Sequence, residues 1–320
     1  LDGIELIVPL PPTPDEESIL VAAMHLIDAL KGLKNDRVTI DITAGSMSIE
    51  GITFVNQTRE PDFEPRPPEG AVQVRMPMAT LAYRIALVRL AVSTESIRHS
   101  LTNVLIESNP AEEPNAINFV ASDGQWLARA WLQMPVAAPV NLLMPERVAD
   151  VLLAISPEVA GPVGIHCGPN DPDRVGLSSA AFTLSWERPG DSFPEYRQVI
   201  PDLGPFWSVK PAELLAAVQK AGALLKKTKA VAVDCTFDLS SITIHAAADG
   251  AGETTVRVDS KGHRKKVVVA FNWKNLQKLL TGLRGEDNVW MAPSEKPMGA
   301  MVVSAPNDFC AVLMPIWNPK

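Results

Sequence analysis

The feature that most constrains this chain is a repeat. Three segments share one layout: an apolar-periodic helix, a Gly or Pro break, then an alternating strand. They are VAAMHLIDALKGLKNDRVTIDI at 21–42, PERVADVLLAISPEVAGPVGIHC at 145–167 and NWKNLQKLLTGLRGEDNVWMA at 272–292, with starts 124 and 127 residues apart. A second kind of helix occurs at 77–92 (PMATLAYRIALVRLAV) and 210–227 (KPAELLAAVQKAGALLKK), with starts 133 residues apart, each followed by strands such as NVLIES and VAVDCTF. Self-similarity at a fixed period means one supersecondary unit used several times over. The strands alternate apolar and polar, as in antiparallel sheets covered on one face. The unit is therefore predicted to be α+β, with two helices packed on an antiparallel sheet. Two complete units are expected at 73–200 and 201–320. A partial unit at 1–72 holds one strand (GIELIVPL), one helix and two further strands.

Local signals mark the helix ends. Pro145 and Pro211 suit first helical positions, where the missing N–H costs nothing. Asn272 is an N-cap candidate, and Gly32 and Gly282 suit C-termini. The units are joined by EPDFEPRPPEG (60–70) and DSFPEYRQVIPDLG (191–204). Pro194 and Pro201 stiffen the second of these, because proline fixes its own φ and biases its predecessor toward extended backbone.

Charge is distributed unevenly. The chain has 320 residues and a net charge of −8, which alone argues against a nucleic-acid partner. Yet the five predicted helices (18–34, 77–101, 145–156, 211–229, 271–284) carry thirteen Lys and Arg against five Asp and Glu. If every unit turns its helices the same way, one surface is cationic and the other acidic, an electrostatic footprint for a polyanion. Aromatics make up 6% and are not interleaved with the basic residues. A stacking platform for single strands is not expected, nor a helix-turn-helix or zinc finger. Contact should be with phosphates, independent of sequence.

Enzymatic readings find little support. GIHCGPNDPD (164–173) sets His166 beside Cys167, but adjacent strand residues point to opposite faces. No G-x-G-x-x-G or P-loop occurs, and the Asp of SDGQW reads as turn chemistry. No catalytic residue, metal or cofactor is expected. The three cysteines lie far apart, which fits buried thiols in a reducing compartment. No apolar run nears the roughly 20 residues of a membrane span. The sequence opens on Leu1 rather than Met, so the start of the gene product is expected upstream.

Three stretches resemble a known family, the bacterial DNA polymerase III beta subunit or sliding clamp. FVASDGQWLARAWLQMP (119–135) looks like its second-domain strand pair, FPEYRQVIP (193–201) is similar to its F-P-D-Y-R-x-V-[IL]-P connector, and CAVLMPIW (310–317) resembles its C-terminal tail. The likeness runs over nearly the whole chain and lacks about the first half of the family's first domain. It implies the DNA clamp (processivity) fold, assembled as a head-to-tail homodimeric ring around duplex DNA in the bacterial cytoplasm, at the nucleoid. It implies an accessory subunit rather than an enzyme, one that tethers DNA polymerase, the clamp loader and repair proteins through linear peptides. A clamp-like paralogue serving as a peptide adaptor without encircling DNA is the alternative.

Carried over by position, the resemblance implies a peptide cleft. Leu101, Ser122, Gly124, Gln125, Trp126 and Leu127 come from the second unit, and Pro194, Gln198 and Val199 from the connector. Asn272, Asn275, Pro297 and Gly299 come from the third unit, and Val312, Met314, Pro315, Ile316 and Trp317 from the tail. Gln125, Trp126, Gln198 and Trp317 stand where the family often has cationic residues or histidine. A more apolar, less salt-sensitive cleft is therefore expected, with Trp126 as an aromatic anchor. The implied DNA-facing residues are Arg84, Arg89, Arg98, His99, Lys220, Lys226, Lys227, Lys274, Lys278 and Arg284. Ring closure is implied between edge strands 46–55 (Ile49, Ile52, Phe54) and 252–260 (Thr254, Val256), with Leu224 and Leu225 near the joint.

Overall fold

A computed structural model describes residues 5–7, 40–43, 46–49, 52–55, 72–95, 99–108, 113, 115–136, 139–167, 174–202, 204–263, 265–296 and 298–317. The predicted helix at 18–34, the connector at 60–70, Arg98 and Pro297 lie outside the described residues.

The first part of the chain contributes β1 (Glu5–Ile7), β2 (Ile40–Thr43), β3 (Ser46–Ile49) and β4 (Ile52–Val55). The sequence then runs twice through the same succession of elements. The first pass is β5 (Val74–Pro77), α1 (Met78–Arg89), β6 (Asn103–Glu107), β7 (Ala116–Ser122), β8 (Trp126–Gln133), β9 (Asn141–Pro145), α2 (Glu146–Ile155), β10 (Pro162–His166), β11 (Arg174–Ser178) and β12 (Thr183–Glu187). The second is β13 (Trp207–Val209), α3 (Pro211–Leu225), β14 (Ala232–Asp238), β15 (Ser241–Ala248), β16 (Gly252–Lys261), β17 (Val267–Asn272), α4 (Trp273–Gly282), β18 (Val289–Ala292), β19 (Met301–Ala305) and β20 (Phe309–Leu313).

The pairings repeat as well. In the first pass β5 pairs with β10, β6 with β7 and β9, β7 with β8, and β11 with β10 and β12. In the second, β13 pairs with β18, β14 with β15 and β17, β15 with β16, and β19 with β18 and β20. All of these pairs are antiparallel. The period read from the sequence is thus a structural repeat, and β2–β3–β4 forms the same closing meander in the first unit.

The units join by strand pairing. The last strand of each complete unit pairs onto a strand of the unit before it: β20 onto β8, and β12 onto β1. One twelve-stranded sheet, ordered β17-β14-β15-β16-β13-β18-β19-β20-β8-β7-β6-β9, therefore spans both complete units. The helices cover one face, where alternate strand residues such as Ile106, Phe119, Ala128, Phe237, Ile244 and Leu313 are buried. Helix packing is tight. At Gly222 of α3 an added Cβ would sit 2.3 Å from Trp273 of α4, so the two helices meet only because that position lacks a side chain.

The helix ends follow the local chemistry with small shifts. Asn272 caps α4, its side chain accepting from the Lys274 N–H at 3.0 Å. Pro211 opens α3, whereas Pro145 is the residue before α2. The predicted helix at 77–101 is shorter, closing after Arg89 into a turn. The stretch 46–55 is a hairpin rather than one edge strand: β3 pairs with β4 through Ile49 and Ile52. Ile49 is fully buried, so only Ile52 and Phe54 stand on the edge strand.

Candidate functional site

The sheet has a second apolar face at the joint of the two complete units. Leu105, Val120, Leu127, Leu143 and Val312 point away from the helices and form a separate cluster with Tyr196. Each comes from a strand whose neighbouring residues face the helices. That is why NVLI and NLLM read as continuous apolar runs: strands covered on both sides lose their alternation. The connector lies over this cluster. Tyr196 is buried at the start of a short 3-10 helix, Tyr196–Val199, with Phe193 and Ile200 partly buried beside it. Val199 of the connector is 55% exposed, and Met314 and Trp317 of the tail are exposed as well.

Polar groups fix the seam. The SDGQW turn is held by its own side chains. The Ser122 hydroxyl donates to the Trp126 carbonyl at 2.8 Å, and Asp123 accepts from the N–H groups of Gln125 and Trp126. Gly124 takes a φ of 85°, where glycine is preferred. Gln125 then ties the units together. Its carbonyl accepts from the Met314 N–H at 3.0 Å, and its side-chain oxygen accepts from Asn275 at 3.0 Å. The tail crosses onward, with Ile316 N–H donating to the Ala270 carbonyl of β17. Asn272 and Asn275 are therefore occupied by a helix cap and an inter-unit bond.

The connector is pinned by charge. Tyr196 donates to Glu107 at 2.7 Å, and Arg197 pairs with Glu107 at 2.7 Å while stacking over the Tyr196 ring. Arg129 pairs with Glu113 at 2.5 Å and donates to Asn118, which donates to Glu113 in turn. Burial pushes the Glu113 carboxyl up, but the bonds from Asn118 and Arg129 outweigh it and hold it below the usual carboxylate range. Burial, then the Glu107 carboxylate, pushes the Tyr196 phenol far up, so it stays a neutral donor. None of these polar partners was among the expected site residues. The continuous apolar runs were the available signal that a second face is covered.

Several expectations need correction. Trp126 is only 2% exposed and faces the helix-side core, because it neighbours Leu127 on one strand and so points the opposite way. It is not an anchor on the cleft surface. Leu101 is buried in the 3-10 helix His99–Thr102, outside the cleft cluster. Ser122, Gly299 and Ile316 are half-buried and Pro315 is buried, and Pro194 and Gln198 are exposed on the connector. Arg84 is buried. It donates to the Asn307 carbonyl and lies 3.9 Å from Asp308, so it clasps the β19–β20 turn to α1. Tyr83 adds a bond to Glu286 at 2.8 Å. Arg89 is held by Glu146 at 2.9 Å and Asp150 at 2.5 Å, tying α1 to α2. Leu225 is buried in the core and only Leu224 approaches the surface. His99, Lys220, Lys226, Lys227, Lys274, Lys278 and Arg284 are exposed. Among the described residues the exposed helix cations are thus mostly on the third unit, with Arg147 of α2 exposed on the second.

His166 and Cys167 do not form a pair. The His166 ring bonds Ser178 at 2.7 Å, while Cys167 is half-buried and its thiol pKa is raised by burial. Among the described residues no cluster of three metal-ligating side chains occurs, and no helix is long and apolar enough to cross a membrane.

The repeated unit of two helices on antiparallel strands, zipped end to end into a shared sheet, is the fold of the bacterial sliding clamps. Solved structures agree over nearly the whole chain. The DNA polymerase III beta subunit of Thermotoga maritima superposes with a TM-score of 0.83 at 16% identity, covering 99% of this chain and 86% of its own. The DnaN sliding clamp of Bartonella birtlesii, bound to griselimycin, gives 0.81 at 18% identity with 99% and 86% covered. The Pseudomonas aeruginosa sliding clamp with ligand gives 0.78 at 22% identity with 99% and 87% covered. No family model and no curated protein matches the chain by sequence.

Proposed function

We propose that this chain is a sliding clamp, an accessory subunit and not an enzyme, that encircles duplex DNA without reading sequence. It tethers DNA polymerase, the clamp loader and repair proteins through linear peptides, conferring processivity in replication. The observation that carries the reading is the buried apolar cluster of Leu127 and Val312 at the joint of the two units, beneath the connector, with Val199 of the connector and Met314 and Trp317 of the tail exposed, in a chain of clamp fold. Apolar slots of this kind capture aliphatic and aromatic anchors of short peptides. Two of the similar structures are clamps described with griselimycin or another ligand bound.

Ring closure is supported by the joining rule. β12 pairs with β1 and β20 with β8, so the same rule applied once more sets the outer edge of β4 against β16 of a second copy. Ile52 on β4 is exposed, and β16 meets β13 only through Ser260 and Lys261. Thr254 and Val256 are half-buried along the remaining edge. Open grooves of about 540 and 420 Å3 lie beside α3 at this edge, the first touching Leu224 and the second Val256 and Ala217. Ala217 is the seventh residue of α3, as Arg84 is the seventh of α1, where it seats the turn of the following unit.

The adaptor reading keeps the seam and drops the DNA. It is favoured by the engagement of Arg84 and Arg89 with protein acids. Primer extension on primed circular DNA decides between them. A clamp lengthens the product, and an adaptor leaves it unchanged. Sedimentation showing only monomer at micromolar concentration would also count against the ring.

A further inference from the structure

The densest run of cations in the sequence, Lys261 to Lys266, lies on no helix. It follows β16 on the outward side of the third unit. Here the register builds a row that the sequence does not reveal. Ser208 of β13 is paired with Lys261 on one side and Trp290 of β18 on the other. Trp207 and Val209 are buried, so Ser208 and Phe206, which stand between and before them, face outward. Phe206, just before β13, is 57% exposed, and Trp290 on the adjacent strand β18 is 37% exposed. Lys261, His263, Lys265 and Lys266 are exposed, and Lys261 stands across from Ser208. The His263 ring lies 6.4 Å from that of Trp207, which fixes the loop against β13, and Lys265 is tied to Glu295 at 2.5 Å. An alanine at Gly262 would drive its Cβ into Trp207, so the loop is packed down beside the aromatics rather than standing away from them.

We infer that this face binds single-stranded nucleic acid: bases stack on Phe206 and Trp290 while Lys261 and Lys266 hold the phosphates. A flat sheet that offers exposed rings beside cations is the common solution for single strands. Every base has a π-face, and the backbone supplies the charge. Duplex DNA buries its base faces and so gains nothing from the rings. Charge complementarity sets the polyanion, and the aromatic pair selects a single strand over a duplex. The surface is outside the seam cleft and opposite the helix face, so the inference stands whether or not the ring closes.

Anisotropy of a labelled oligothymidine tests it on the full chain at low salt, with a duplex and a poly-glutamate peptide as competitors. The expectation is binding that unlabelled oligothymidine competes away and that neither the duplex nor the peptide does at the same concentration. Phe206→Ala with Trp290→Ala should weaken it about tenfold or more with little change in melting temperature, both rings being exposed. Lys261→Ala with Lys266→Ala should flatten the salt dependence by about 1.4, at roughly 0.7 per phosphate. Lys274→Ala with Lys278→Ala, on the helix face, should leave it unchanged. Absence of binding, or affinity unmoved by the aromatic pair, overturns the proposal. Poly-glutamate binding as tightly, and suffering the same loss in the aromatic variant, would reassign the face to an acidic protein.

Discussion

Trp126 and Leu127 are neighbours that face opposite ways across one sheet, and the difference decides what each can do. Trp126 fills the core beneath α1, with an indole N–H that finds no acceptor among the described residues. Trp126→Ala should destabilise the fold by about 3–5 kcal/mol, as large core truncations do, and peptide binding should be unchanged in whatever remains folded. Trp126→Phe removes the unpaired donor and should cost little by comparison. Leu127→Ala, beneath the connector, should also cost about 2–5 kcal/mol of stability but, unlike Trp126→Ala, weaken a bound peptide by over about 1 kcal/mol. Calorimetric titration with a leucine- and phenylalanine-containing peptide, beside a melting curve for each variant, separates the two effects. Equal affinity in Leu127→Ala would remove the seam from consideration. Cys310 shows the same rule of parity. It lies behind the sheet with its thiol pushed up to about 11 by burial, out of reach of ordinary thiol chemistry at neutral pH.

The connector is the element whose behaviour depends most on charge. Glu113 has a depressed carboxyl, so the stability it lends is present above the ordinary carboxylate pKa and is lost as pH falls through its lowered value. Hydrogen-exchange protection at Tyr196–Val199, corrected for the intrinsic rate at each pH, should fall below about pH 4. Glu113→Gln should show the faster exchange already at neutral pH, with a flatter acid response. Exchange that ignores both changes would mean the apolar cluster alone holds the connector. The described helices and most of the described strands were legible in the sequence, because periodicity acts locally. The seat of the connector was not, because Glu107, Glu113 and Arg129 approach Arg197 only after β6, β7 and β8 pair. The hairpin at 46–55 was misread as one strand because Glu50-Gly51 interrupts a run that otherwise alternates. The cation count misled for a related reason. Arg84 and Arg89 look solvent-facing in a helical pattern, yet their partners Asn307, Asp308, Glu146 and Asp150 are remote in sequence.

At the scale of the molecule, the exposed cations of α3, α4 and the turns that follow them make the third unit the place where a duplex would be felt. Lys274→Ala with Lys278→Ala should lower the salt slope of duplex binding by about 1.8, at roughly 0.9 for each phosphate no longer neutralised. Arg89→Ala should leave that slope alone and lower the melting temperature instead, since it breaks the link between α1 and α2. A slope that falls equally in both would return α1 to the DNA-facing set.

The sheet that runs from β17 to β9 has no interior break, because β20 and β8 pair along their whole shared length. Two units with a common hydrogen-bond ladder do not melt as beads on a string. Heat should dissolve them in a single calorimetric peak, and a proline placed at Ala311, in the middle of that ladder, should split the peak in two.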